Sequence, residues 1–192
     1  MSEQACDLNA KFRLGSPEMK RIMIATDVIK YLDAKKIVSA PGTYLLANFA
    51  RPEDMAVEDN KELDSLLKVA SNCDVCALGA IFYAAVIRHD NLKIGILSEF
   101  DDIAEGDGYF GIFSSTMFIY LKEFFPQKEL CFIEAAFEGN LVNWYDDSDE
   151  GDRDYSGIIE RCREFSKRFE DPEDRMRAIM QNIIDNNGTF TP

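Results

Sequence analysis

Two cysteines three positions apart, Cys73 and Cys76, open the stretch SNCDVCALGAIFYAAVIRHDN at residues 71–91. Zinc sites and redox dithiols both use that spacing. A structural zinc site needs four ligands, commonly two such pairs or one pair with histidines. There is no second pair, His89 is the only histidine, and Cys6, Cys131 and Cys162 are scattered. A redox dithiol needs its first cysteine at a helix N-terminus, where the dipole lowers the thiol pKa. Cys73 falls where the apolar run begins, which favours that chemistry. The segment before it reads as a helix, however, and neither Gly-Pro nor an aromatic lies inside the pair. The pair therefore reads first as small buried residues at the start of a core helix. A small enzyme, or a metal- or redox-dependent protein using Cys73 and Cys76, is the second reading.

The run DDSDEGDRD, Asp146 to Asp154, is the densest acidic stretch. A calcium hand loop places oxygen ligands at its first, third and fifth positions, Gly at the sixth, an aliphatic residue at the eighth and Glu at the twelfth. Counting from Asp146 puts Gly151 sixth, but Arg153 eighth and Gly157 twelfth, so the bidentate carboxylate is missing. The residues instead suit a partner-binding patch: Asp146, Asp147, Asp149, Glu150, Asp152 and Asp154, with Trp144 and Tyr145 as aromatic anchors. The helix that follows is basic (Arg161, Arg163, Lys167, Arg168) and offers an internal partner for the same charges.

Other candidates are weaker. His89 is alone at a helix end. Ser114-Ser115-Thr116 lies in an apolar run without a nucleophile-elbow pattern. Glu134 and Glu138 stand one turn apart and would do acid–base or metal chemistry only as a buried pair. Phosphate-loop and dinucleotide glycine patterns are missing. No catalytic residue, metal ligand or cofactor is assigned.

The elements that carry these residues are mostly helical by pattern. Ser16-Pro17-Glu18 is a helix start, followed by Met19, Ile22, Met23, Thr26, Ile29 and Leu32 at helical spacing, with an end near Lys35-Lys36. Pro41-Gly42 is a turn between two short runs of β-formers. A charged linker precedes a helix from about Asn60, with Leu63, Leu66, Leu67 and Ala70 as its stripe. Val75 to Ile87 is apolar all round, as a buried central helix is, and Gly79 would admit a neighbouring helix closely. LKIGILSEF is a strand or loop and DDIAEGDG a loop. YFGIFSSTMFIYLKEFF reads as one helix of about five turns. Pro126 starts another, with Leu130, Ile133 and Phe137 inward and Gly139 as its cap. Ile158, Cys162, Phe165 and Phe169 mark the next. In the last, Asp171 caps, Pro172 follows, and Met176, Ile179, Met180, Ile183 and Ile184 form the stripe before Asn186-Asn187-Gly188. The expected fold is mainly α: a single helical domain over residues 1–192 with a small β element, a polar arm at 1–15, the acidic loop at 146–154 and a tail at 189–192.

With 192 residues, 46% of them hydrophobic, the chain can bury a sizeable core. The formal charge of −14 repels nucleic acid and anionic membrane and attracts basic partners. Fourteen charges at duplex spacing match about 24 Å of DNA, a length one face of such a domain can carry, so DNA mimicry is open if clusters at 53–64, 99–107 and 146–154 converge. The N-terminal stretch lacks the apolar core of a signal peptide. The run from Val75 to Ile87 would span roughly 20 Å as a helix, short of the ~30 Å of a bilayer core. The expected place is the cytoplasm, with five reduced cysteines.

Three stretches, CDVCALGA at 73–80, IEAAFEG at 133–139 and IMQNIIDNNGTFTP at 179–192, together with IATDVIKYLDAKKIVSAPGTYL, make the chain similar to a family of small uncharacterised proteins of tailed phages and prophages. The resemblance implies a phage origin and the host cytoplasm, and no activity. With the charge, the expected function is that of a phage-type accessory protein. It would act by binding a basic, nucleic-acid-handling host protein such as a defence nuclease, without contacting nucleic acid or membrane itself. A self-assembling structural or virion-associated protein is a third reading.

Overall fold

Ser16 and Pro17 begin the first long helix as their chemistry dictates. In the computed structural model, which describes residues 11–54, 61–89, 92, 103–106, 109–112, 114–139 and 156–192, the Ser16 hydroxyl accepts from the Met19 amide at the start of α1, Pro17–Asp33. Strands β1 (Ile37–Ser39) and β2 (Leu45–Asn48) follow, then a 3-10 turn (Pro52–Asp54), α2 (Leu63–Val69), β3 (Asn72–Val75) and α3 (Ala77–His89). The second half holds β4 (Ile103–Gly106), β5 (Tyr109–Ile112), α4 (Ser114–Leu121), α5 (Gln127–Glu138), α6 (Ser156–Ser166) and α7 (Pro172–Asp185). The fold is mainly α with a small sheet.

Helix α3 is the centre of the molecule. Every residue from Ala77 to Val86 that carries a side chain is buried, and the helix packs against α1, α2, α4 and α5. Its start differs from the expected one at Val75. Residues 72–75 are a strand, and only Cys76 separates it from the helix. Cys73 therefore belongs to the sheet. The face that α1 buries also differs from the expected stripe. Arg21, Ile24, Ala25, Val28 and Leu32 are inside, while Met19 is 51% exposed and Ile22, Met23, Thr26 and Ile29 are partly covered. So much of α1 is apolar that periodicity alone could not choose its face. Residues 11–14 are helical, and Phe12 lies wholly inside the core with Arg88 over its ring, so this part of the expected polar arm belongs to the body. Arg88 in turn pairs with Asp27 of α1, each side chain 10% exposed.

The five strands form one sheet in the order β1-β3-β2-β5-β4, larger than the single β element expected. Period-2 burial is plain in it. Leu45 and Ala47 of β2, and Cys73 and Val75 of β3, face the core, while Leu46, Asn48, Asn72 and Asp74 face away. Two expectations fail here. The acidic stretch 101–108 contains β4 where a loop was expected. The long helix expected from Tyr109 begins as β5 and becomes helical only at Ser114. Residues 93–100, a strand or loop by pattern, lie outside the described residues.

The order of the first three strands shapes the rest. β1 pairs with β3 in parallel and β2 pairs with β3 antiparallel, so β3 sits between two strands that are neighbours in sequence. Residues 40–44 must therefore cross over the end of β3, about 10 Å for two interstrand spacings. Pro41-Gly42 makes the turn, with Gly42 at φ +75° and the Thr43 amide donating to the Ala40 carbonyl at 3.2 Å. Under this crossover lies Gly79, the residue expected to admit a helix. What it admits is the Tyr44 carbonyl, which a Cβ at position 79 would approach to 1.4 Å.

The C-terminal region follows its sequence signals closely. Gly139 ends α5 in the left-handed conformation. The Asp171 carboxylate caps α7 by accepting from the amides of Glu173 (2.7 Å) and Asp174 (3.2 Å). Met176, Ile179, Met180 and Ile183 are buried, and Asn187 and Gly188 turn the chain with positive φ. The tail is then tied down. Arg21 donates to the Gly188 carbonyl, Phe190 is buried against Phe165, and Asn182 both donates to and accepts from Thr191.

Candidate functional site

The residues expected to bind a partner, Trp144, Tyr145, Asp146, Asp147, Asp149, Glu150, Asp152 and Asp154, lie outside the described residues. The elements on either side of them are described. α5 and α6 pack together, and a Cβ on Gly139 at the end of α5 would stand 2.8 Å from the Ser166 hydroxyl at the end of α6. The basic helix also has charge partners of its own. Arg163 pairs with Glu160 at 3.1 Å and Lys167 with Glu164 at 2.6 Å.

The cysteine pair is clearly placed. Cys73 points from β3 into the core, completely buried, and Cys76 is 2% exposed at the junction of β3 and α3. The Cys76 sulfur accepts from the Gly79 amide at 3.4 Å, the position of an N-cap acceptor. Its own amide donates to the Thr43 carbonyl of the crossover. Burial pushes both thiols up to about 12, with Asp74 adding to the effect at Cys73, and Glu134 and Glu138 adding to it at Cys76. A thiol so held stays protonated at neutral pH and is a poor nucleophile or metal ligand. Among the described residues no group of three or more His, Cys, Asp and Glu is placed to hold a metal ion.

The crossover draws together residues that the sequence left apart. Glu134 and Glu138, on successive turns of α5, both reach it. The Tyr44 hydroxyl donates to Glu134 Oε1 at 3.0 Å, and the Gly42 amide donates to both oxygens of Glu138 at 3.1 Å. Glu134 is 4% exposed, and its Oε2 has no hydrogen-bond partner among the described residues. Burial raises its carboxyl to about 7. The Tyr44 hydrogen bond works against the rise and the like charge of Glu138 adds to it. Glu138 is raised by burial too, against the opposing pull of the Gly42 amide and Arg175. Tyr44 is raised in turn, by burial and then by Glu134. The cluster holds a proton near neutrality and clamps a backbone turn. The sequence showed the two carboxylates one turn apart. It gave no sign of Gly42 and Tyr44, some ninety residues away and joined to α5 only by the tertiary fold.

Among the described residues no helix is long and apolar enough to cross a membrane. The chain matches no protein-family model, no curated protein and no solved structure.

Proposed function

We propose that this is a phage-type accessory protein that acts by binding. Its acidic residues Asp146, Asp147, Asp149, Glu150, Asp152 and Asp154, with Trp144 and Tyr145 beside them, engage a basic nucleic-acid-handling protein in the host cytoplasm. The observation that carries this reading is where the charge resides. Of the formal net charge of −14, residues 140–155 alone supply six acids against one arginine. A run of that charge density attracts a cationic partner. The nearest basic helix supports the same reading, because Arg163 and Lys167 already pair with glutamates of their own helix.

The cluster at 53–64 weighs less. Arg51 pairs with Asp54 at 2.8 Å, and Asp64 is buried against Lys68. Asp54 and Asp64 thus have partners inside the molecule.

The test is a nuclease-treated pull-down from bacterial lysate over a salt series, with the wild type and a variant carrying Asp146→Lys, Asp147→Lys, Asp149→Lys and Asp152→Lys. A single basic nucleic-acid-binding protein should be captured and released by salt. The variant should lose it while unfolding within about 0.5 kcal/mol of wild type. Equal capture by the variant would remove the acidic segment from the account. A large oligomer by light scattering, with nothing captured, would favour self-assembly.

A further inference from the structure

The crossover 40–44 and the carboxylates beneath it take no part in the binding proposed above. The Ala40 amide ties the start of the crossover to the Val75 carbonyl at 2.8 Å, and beyond it three contacts hold the turn: Tyr44 to Glu134, Gly42 to Glu138, and the Thr43 carbonyl to the Cys76 amide. Pro41 and Gly42 are exposed. Helix α5, on the other side of the clamp, is fixed by Leu130, Phe132, Ile133, Ala136 and Phe137 in the core. If the clamp yields, the crossover moves and the helix stays.

Glu134 is the member of the clamp whose charge burial most disfavours where it stands. The groups facing it are Tyr44 from the crossover, Cys76 from the β3–α3 junction, and Glu138 and Cys131 from its own helix. Arg175 of α7 acts on Glu138. As a neutral acid Glu134 has its Oε1 satisfied by Tyr44. As a carboxylate it would bury a charge with Oε2 unpaired among the described residues and a second carboxylate one turn away, a costly arrangement. Letting water in at the crossover relieves that cost at the least disruption.

We propose that residues 40–44 form a proton-controlled strap, closed while Glu134 carries its proton and released when Glu134 gives that proton to solvent. Cys76 lies under the strap and reports its state, since it reacts with a thiol reagent only when the strap opens. Cys73, facing the core from the sheet, reports wider unfolding.

The experiment measures labelling of Cys76 and Cys73 by a disulfide reagent, read peptide by peptide, from pH 6 to 8.5. Rates are divided by that of a small thiol at the same pH. In the wild type, normalised labelling of Cys76 should rise at least tenfold, with the midpoint of the Glu134 carboxyl ¹³C titration, while Cys73 stays flat. In Glu134→Gln, which keeps the acceptor for Tyr44 and cannot ionise, the rise should vanish. A second variant, Glu138→Gln, removes the like charge and should move the midpoint to lower pH. The proposal is overturned if Glu134→Gln shows the same rise, if Cys73 and Cys76 rise together, or if Glu138→Gln leaves the midpoint in place.

Discussion

Helix α5 carries two buried glutamates, five residues apart, in different surroundings. Glu129 is 5% exposed and Glu134 4%, so burial alone does not separate them. Glu129 faces the C-terminal anchor. There it accepts from the Phe190 amide at 2.6 Å, near Arg21, whose guanidinium also holds the Gly188 carbonyl. Glu134 faces the crossover, where its donor is a tyrosine hydroxyl and its nearest charge is Glu138. Burial raises both. At Glu129 a backbone amide and two cations oppose the rise, whereas at Glu134 the carboxyl reaches about 7. A buried acid is a fixed joint when donors surround it and a titrating one when they do not. At the anchor end more donors and cations oppose the effect of burial than at the crossover end.

The sharpest way to break the crossover end is at Gly79. A Cβ there meets the backbone carbonyl of Tyr44 at 1.4 Å, and backbone cannot step aside as a side-chain tip can. Gly79→Ala should therefore cost about 4 kcal/mol, above the usual range for overpacking. Denaturant unfolding would measure it. Gly139→Ala makes a matching probe at the other end of α5. Its positive φ adds strain there, but its close contact is the Ser166 side chain, so the loss should be smaller.

The next effect is one of pH. The Glu134 carboxyl stands at about 7 in the folded protein against an ordinary 4.5. Between those values the folded state binds the extra proton, so stability must fall as pH rises. The contribution is complete below about pH 4.5 and gone above about pH 7, about 3 kcal/mol across the window. Glu18, Glu164 and Glu173 are shifted down instead. They favour the folded state above about pH 4.5 and lose that effect only as pH falls below it, so the two windows separate. Urea midpoints from pH 5 to 8 should slope downward in the wild type. Glu134→Gln should remove most of that slope, while Glu129→Gln should lower stability and leave most of the slope. A wild-type profile that stays level would refute the comparison.

The helices were legible where their ends are punctuated: Ser16-Pro17, Asp171-Pro172 and Gly139 all act as their residue types imply. Strands β1 and β2 were legible as the runs of β-formers on either side of Pro41-Gly42; β3 and β5 were not, and those two failures have one form. β3 runs into α3 through Cys76 alone, and one residue separates β5 from α4. Each strand therefore passes into its helix with no Pro or Gly turn signal between them, β3 ending at Val75 where the apolar run begins. In the second, Ser114-Ser115-Thr116 was the punctuation, since such residues favour helix starts. In β4 the glycine and acid content of IAEG argues against a strand locally, and pairing with β5 overrides it. The candidate site divides the same way. Glu134 and Glu138 are visible because a helix puts them on one face. Their partners are invisible because β3 inserts between β1 and β2, an ordering that local pattern does not encode.

The smallest effect separates the two cysteines, which the sequence treats as a pair and the structure does not. Serine is nearly isosteric with cysteine but carries a stronger hydrogen-bonding group, so its cost depends on what the new hydroxyl finds. At position 76 it finds the Gly79 amide already aimed at the sulfur, and serine is a preferred N-cap. Cys76→Ser should therefore change stability by less than about 0.5 kcal/mol. At position 73 the side chain faces the apolar core from the middle of β3, where among the described residues a hydroxyl meets no donor aimed at it, and Cys73→Ser should cost roughly 1–2 kcal/mol. Partner capture should be unchanged in both and in the double variant. Equal costs at the two positions would mean that Cys76 is only packing, and that the N-cap geometry beneath the crossover contributes nothing.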